Sequence, residues 1–197
     1  MALLCASVTA SAYDFEVDGL EYTIISTTDH TVSLTQSKLS GKVTVPATIE
    51  HNGTNYAVVA IGRSAFSSLR SGVVTQVNLP NSITTIEDDA FNGCKELEDI
   101  DLPESLLNIG FSAFRGCSFS SISIPKNVKT IGFDAFACDN LRTVYYNATD
   151  SNFSSYVFGS NRAKIEKVLI GNDVARIPDD FIGYLNNLSF ASTDFQR

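Results

Sequence analysis

Residues 109–114 read IGFSAF and residues 131–136 read IGFDAF, one hexapeptide written twice with a single change, 22 positions apart. Self-similarity at a fixed period decides the architecture before any other signal does. Aligned on this block, further copies start at Ile61 (IGRSAF), Ile86 (IEDDAF), Phe153 (FSSYVF) and Ile177 (IPDDFI), so the steps along the chain are 25, 23, 22, 22 and 24 residues. A second block lies nine residues before five of these copies: Val77-Asn78-Leu79-Pro80, Ile100-Asp101-Leu102-Pro103, Ile122-Ser123-Ile124-Pro125, Val144-Tyr145-Tyr146-Asn147 and Val168-Leu169-Ile170-Gly171. The offset never changes, so all length variation falls after the hexapeptide. One half of the unit is rigidly specified and the other half is a tolerant loop.

Two flanking copies extend the series. Val43-Thr44-Val45-Pro46 matches the second block, but Ile61 follows it by eighteen residues. The nine extra residues surround His51-Asn52-Gly53-Thr54, and Asn-Gly between alternating residues predicts a two-residue hairpin inserted at about 49–58. At the far end Leu188, Ala191 and Thr193 fall where Leu97, Ile100 and Leu102 fall, which makes a seventh strand block.

Within one unit, alternation at Ile100 and Leu102 predicts a short strand with one buried face. Pro46, Pro80, Pro103 and Pro125 end the strands, because proline cannot donate to a continuing ladder. An I-x-x-I stretch and a G-x-x-A-F corner follow. The first corner position holds Gly62, Gly110 and Gly132 but also Glu87 and Pro178. A proline there fixes φ near −65°, so the corner is expected to be a single helical or 3-10 turn in which glycine is permissive and not left-handed. About eight buried side chains are too few to offset the entropy of ordering one unit alone, and stacked units bury each other's faces. The expected fold is a mainly β solenoid of stacked 22–25-residue coils with parallel strands and short helical or 3-10 turns. It requires Phe91, Phe114 and Phe136 to pile in one column.

The unit L-x-x-I-x-L-P-x-x-(L/V)-x-x-I-G-x-x-A-F-x-x-C closely resembles the BspA-like leucine-rich repeats of surface and secreted proteins from host-associated anaerobes. The opening Tyr13–Ile24 stretch (YDFEVDGLEYTI) and the Asn-Gly insertion look like the β-hairpin cap at the N-terminus of that family. The resemblance spans residues 13 to about 193. It implies a leucine-rich-repeat solenoid over 43–197 behind a β cap at 13–42, acting as an extracellular recognition or adhesion module that in some relatives binds host matrix proteins. The chain departs from the pattern at 144–165, where Val144-Tyr145-Tyr146-Asn147 lacks the proline and FSSYVF replaces IGxxAF.

Composition narrows the partners. The chain has 197 residues, 14 Lys plus Arg against 22 Asp plus Glu, and a formal charge of −8. Such a surface repels phosphate backbones, so nucleic acid is excluded as a natural partner. No apolar run is long enough for a transmembrane segment. Residues 1–12 are read as a signal-peptide remnant, with an apolar stretch running into Ala10-Ser11-Ala12, or else as a small-residue tail; the basic n-region is missing. Localisation is expected to be secreted or at the cell surface.

Chemistry is sparse. His30 and His51 stand near no nucleophile motif, and no catalytic group or cofactor is expected. The doublets Asp88-Asp89 and Asp179-Asp180 share a repeat position, but the copies between carry Phe111-Ser112 and Phe133-Asp134, so their carboxylates do not stack into a calcium loop. Cys94, Cys117 and Cys138 align with Leu69 and Leu185, which favours small buried hydrophobes, with a Cys94–Cys117 disulfide or a zinc site left open.

The outward strand positions are therefore the candidate partner-binding residues: Gln76 and Asn78, Asp99 and Asp101, Ser121 and Ser123, Thr143 and Tyr145, Lys167 and Leu169. Tyr145 and Leu169 are apolar in an otherwise polar row and mark the expected centre of a face for an extracellular protein or glycan. The alternative is a structural spacer or self-assembling unit, docking through a C-terminal coil that carries Phe190 and Phe195.

Overall fold

A computed structural model describes residues 13–68, 72–153, 156–174, 177 and 191–192. Strands β1 (Phe15–Val17), β2 (Leu20–Ser26) and β3 (Thr31–Ser37) form an antiparallel meander. Asp18-Gly19 turns β1 into β2 with φ of 50° and 79°, the left-handed pair that a two-residue hairpin demands. β4 (Gly41–Thr44) opens the repeat region. β5 (Thr48–His51) and β6 (Thr54–Ile61) are the inserted hairpin, closed by Asn52-Gly53 at φ of 51° and 78°.

Each following coil contributes up to two short strands. The first kind comes from the second sequence block, which is proline-ended in its earlier copies: β7 (Val74–Asn78), β10 (Ser121–Ile124), β12 (Thr143–Tyr146), β14 (Lys167–Ile170) and β15 (Ala191–Ser192). The second kind has two residues each, with a buried isoleucine in three of them: β8 (Thr85–Ile86), β9 (Asn108–Ile109), β11 (Thr130–Ile131) and β13 (Asn152–Phe153). These short strands carry the continuous ladder. Their sheet runs β1-β2-β3-β6-β8-β9-β11-β13 with β5 on β6, parallel from β3 onward along that path. One sheet thus joins the cap to the coils.

The core is a set of columns. Phe66, Phe91, Phe114 and Phe136 are fully buried and stack face to face at 5.0, 5.1 and 5.3 Å with planes within 4°. Phe158 continues the pile at 6.4 Å with a 32° tilt, where the hexapeptide has degenerated to FSSYVF. Beside them Ile61, Ile86, Ile109 and Ile131 form a second buried column. Corner amides bind consecutive coils: Phe66 N–H donates to the Ala90 carbonyl, Phe91 to Ala113 and Phe114 to Ala135 at 2.7–2.8 Å.

The corners are the short turns expected, closed by i to i+3 bonds from the Ala65, Ala90 and Ala135 N–H groups to the Gly62, Glu87 and Gly132 carbonyls at 3.2–3.3 Å, and among the described residues the one longer 3-10 helix, Gly159–Lys164, lies after the degenerate corner. Two expectations are corrected. Glycine at the first corner position is not left-handed, as expected, but it is crowded: a Cβ on Gly110 or Gly132 would stand 2.5 Å from the backbone nitrogen of Asp88 or Phe111 in the preceding coil. The left-handed residue comes two positions later, at Ser64, Asp89, Ser112 and Asp134, with φ between 51° and 58°.

The second correction concerns the strand face. Residues 98–102 form no strand, so the strand blocks split into a two-stranded sheet, β4-β7, and a four-stranded one, β10-β12-β14-β15. The Asp99 carboxylate accepts the N–H of Ile100 at 2.9 Å, a local bond that competes with a ladder. Glu98, Asp99 and Asp101 also crowd like charges into this exposed rung.

Candidate functional site

All ten outward positions lie on the side of the solenoid that carries the strand blocks, and they fall into two groups on strands and a pair on an unpaired rung. Ser121, Thr143 and Lys167 are direct ladder neighbours, as are Ser123, Tyr145 and Leu169. Ladder neighbours stand about 4.8 Å apart, so Tyr145 and Leu169 form one continuous apolar spot. Tyr145 is 43% exposed and Leu169 is half-buried beside it. Their strand partners on the inner face, Val144, Tyr146 and Val168, are fully buried and hold the outer side chains in place. Burial pushes the Tyr146 phenol above its ordinary range, and its hydroxyl meets Ser151 Oγ at 2.5 Å.

Gln76 and Asn78 form the second group on β7. Gln76 Nε2 donates to Asn78 Oδ1 at 3.2 Å, and Asn78 Nδ2 donates to Thr44 Oγ1 at 3.1 Å, a polar chain running along and across the rungs. Asp99 and Asp101 are exposed but sit on the unpaired rung, separated from β7 by a cleft of about 330 Å³. The ten residues therefore make a broken face whose continuous half is β10-β12-β14. The C-terminal residues Phe190 and Phe195 lie outside the described residues, as do Cys5 and the 1–12 segment.

The remaining chemistry-bearing groups have structural partners. Cys94, Cys117 and Cys138 are buried free thiols. Asp88 pairs with Arg63 at 2.7 Å and accepts the Phe111 N–H at 2.8 Å, while Asp89 accepts from Asn92 Nδ2 at 2.6 Å. His51 stacks on Phe15 at 4.1 Å and His30 meets the Tyr56 ring edge-on at 5.8 Å, so both histidines pack in the cap. Among the described residues no three His, Cys, Asp or Glu side chains converge as a metal site, and no helix is long and apolar enough to cross a membrane.

One surface feature escaped the sequence reading. Phe111, Phe133 and Tyr156 stand on the corner outside the core, 45%, 41% and 37% exposed. Their rings follow one another at 5.9 and 5.4 Å, with planes 11° and 38° apart, and the Arg162 guanidinium lies 5.2 Å from the Tyr156 ring. The available signal was positional: Phe111 and Phe133 occupy the third hexapeptide position, where the earlier copies carry Arg63 and Asp88.

Comparison with known proteins agrees with this geometry. A leucine-rich repeat protein from Bacteroides capillosus is 31% identical, with a TM-score of 0.59; the match covers 67% of this chain and 96% of that one. A leucine-rich repeat protein from Bacteroides ovatus is 22% identical, with a TM-score of 0.50 over 85% of this chain. A leucine-rich cell surface protein from Faecalibacterium prausnitzii is 17% identical, with a TM-score of 0.52 over 84% of this chain. The latter two are longer, and the matches cover 60% and 56% of them. No curated protein matches the chain. The model of the BspA type leucine rich repeat region matches in 6 copies over residues 59–189. The chain belongs to the BspA-type leucine-rich repeat proteins.

Proposed function

We propose that this chain is a secreted or cell-surface recognition module that binds an extracellular protein through the outward face of β10-β12-β14. Tyr145 next to Leu169 carries the proposal. An exposed aromatic ring and an aliphatic side chain in ladder register, on a rigid sheet, form the kind of anchor around which protein interfaces are organised. The polar neighbours Ser121, Ser123, Thr143 and Lys167 supply a rim. Family membership supports a surface role, since the solved Faecalibacterium relative is described as a cell surface protein. Recognition is favoured over catalysis because the titratable groups described above are spent on turns, ion pairs and packing.

An array of purified extracellular-matrix proteins tests this reading. At least one should be retained by the wild type and lost, by about tenfold or more in Kd, by the Tyr145→Ala, Leu169→Ala double variant at an unchanged melting temperature. Binding that survives the double substitution, or no retained protein, rejects the proposed face. Light scattering over a concentration series reads the alternative, in which mass rises with concentration because copies self-associate.

A further inference from the structure

The aromatic row on the corner belongs to a different surface from β10-β12-β14. Phe111 directly follows Gly110, which lines an axial groove of about 340 Å³ together with Arg63, Thr85, Asp88, Asn108 and Thr130. The Phe111 N–H donates to Asp88 Oδ1 at 2.8 Å, which fixes the row at the groove rim. We propose that this groove and its aromatic rail bind a neutral, extended glycan chain, independently of the strand face.

Three observations select that occupant. First, the rings are reachable. Phe111 and Phe133 are 45% and 41% exposed and follow one another at 5.9 Å with planes 11° apart, so a ligand lying along the corner meets both. The negative face of a phenyl ring attracts the slightly positive C–H hydrogens of a sugar. Consecutive rings lie one coil apart, a spacing of the same order as one sugar residue in an extended chain.

Second, the groove offers uncharged hydrogen bonding in register with the rings. Thr85, Asn108 and Thr130 are ladder neighbours on successive coils. Thr130 Oγ1 donates to Asn108 Oδ1 at 2.7 Å, which leaves the Asn108 amide hydrogens without a partner among the described residues. A row of hydroxyl and amide groups beside apolar rings matches the alternation of hydroxyls and C–H faces along a hexose chain.

Third, the competing occupants fit poorly. Glu87 and Asp88 line the groove and the chain carries a charge of −8, so an anionic polysaccharide is repelled. An added peptide strand needs an open sheet edge, whereas β8, β9 and β11 are each paired on both sides.

Isothermal titration with cellohexaose, laminarihexaose and mannohexaose, and with a heparin-derived hexasaccharide as anionic control, tests the inference on the full chain. At least one neutral hexasaccharide should bind and the heparin fragment should not. Phe111→Ala with Phe133→Ala should weaken binding by about tenfold or more, Phe111→Tyr with Phe133→Tyr should preserve it, and Asn108→Ala should weaken it. The Tyr145→Ala, Leu169→Ala variant should bind glycan normally, which separates this site from the strand face. Absence of neutral-glycan binding, equal binding of heparin, or indifference to the alanine pair overturns the proposal. If the alanine pair abolishes matrix-protein retention while the glycan titrations stay flat, the rail is a protein contact and the glycan reading fails.

Discussion

The Cys117 thiol donates to the backbone carbonyl of Phe91, one coil earlier, across 3.3 Å. Cys94 does the same to Phe66 at 3.0 Å and Cys138 to Phe114 at 3.1 Å. The Phe91 carbonyl already accepts the Cys94 N–H at 3.2 Å, so the thiol occupies its second lone pair. The cysteines fill space beside the phenylalanine column and tie each coil to the last.

That placement makes the thiols inert and pH-sensitive in a definite direction. Burial raises Cys117 well above the usual thiol range and Cys138 from 9.0 to about 12. Unfolding returns both to ordinary values, so above pH 9.0 the unfolded chain holds fewer thiol protons than the folded one. The contribution is intact below pH 9.0, and stability falls as pH rises toward 12, by at most about 1.4 kcal/mol per pH unit per thiol. In a Cys5→Ser background, Ellman's reagent should find no fast-reacting thiol in the folded protein and three after urea unfolding. Cys138→Val should flatten the alkaline slope of the urea midpoint. A fast thiol in the folded state would contradict the burial of the column.

The parts visible in the sequence are those where burial leaves few choices. Phe91, Phe114 and Phe136 recur because each ring lies on the next, and Asn52-Gly53 is read correctly because its turn needs two left-handed residues. Thr85–Ile86 was not visible as a strand because two residues contain no alternation to detect. The crowding at Gly110 depends on a backbone 22 residues earlier, which no local rule carries. Phe111 and Phe133 were overlooked as a surface because they entered the sequence reading only as the residues that interrupt the acidic doublets, and an apolar residue carries no local mark of exposure.

Close stacking and left-handed geometry impose opposite demands two residues apart. Gly132→Ala places a methyl group 2.5 Å from the Phe111 nitrogen, an overpacking expected to lower stability by about 1–3 kcal/mol. Ser112 has φ of 51° and is fully buried, with a hydroxyl that has no hydrogen-bond partner among the described residues. Ser112→Gly therefore relieves backbone strain and removes an unsatisfied group, and should raise stability by about 1 kcal/mol. Urea denaturation of both variants checks the pair. A harmless Gly132→Ala, or a destabilising Ser112→Gly, would mean that the coils can slide to absorb the change.

The gap in the strand face has a local cause that substitution can remove. Asp99 holds the Ile100 N–H, and the rung carries exposed carboxylates at 98, 99 and 101, whereas the next rung presents Ser121 and Ser123 and forms a ladder. Asp99→Thr with Asp101→Thr removes the competing acceptor, lowers the like-charge repulsion and adds two residues that favour strands. The rung between β7 and β10 should then pair on both sides and join the two- and four-stranded sheets into one. Hydrogen exchange at Leu102 and at position 101 should slow by about tenfold or more, with stability rising by about 1 kcal/mol for each new backbone hydrogen bond. Unchanged exchange would show that the path of the backbone between Leu97 and Pro103, and not the aspartates, keeps this rung apart.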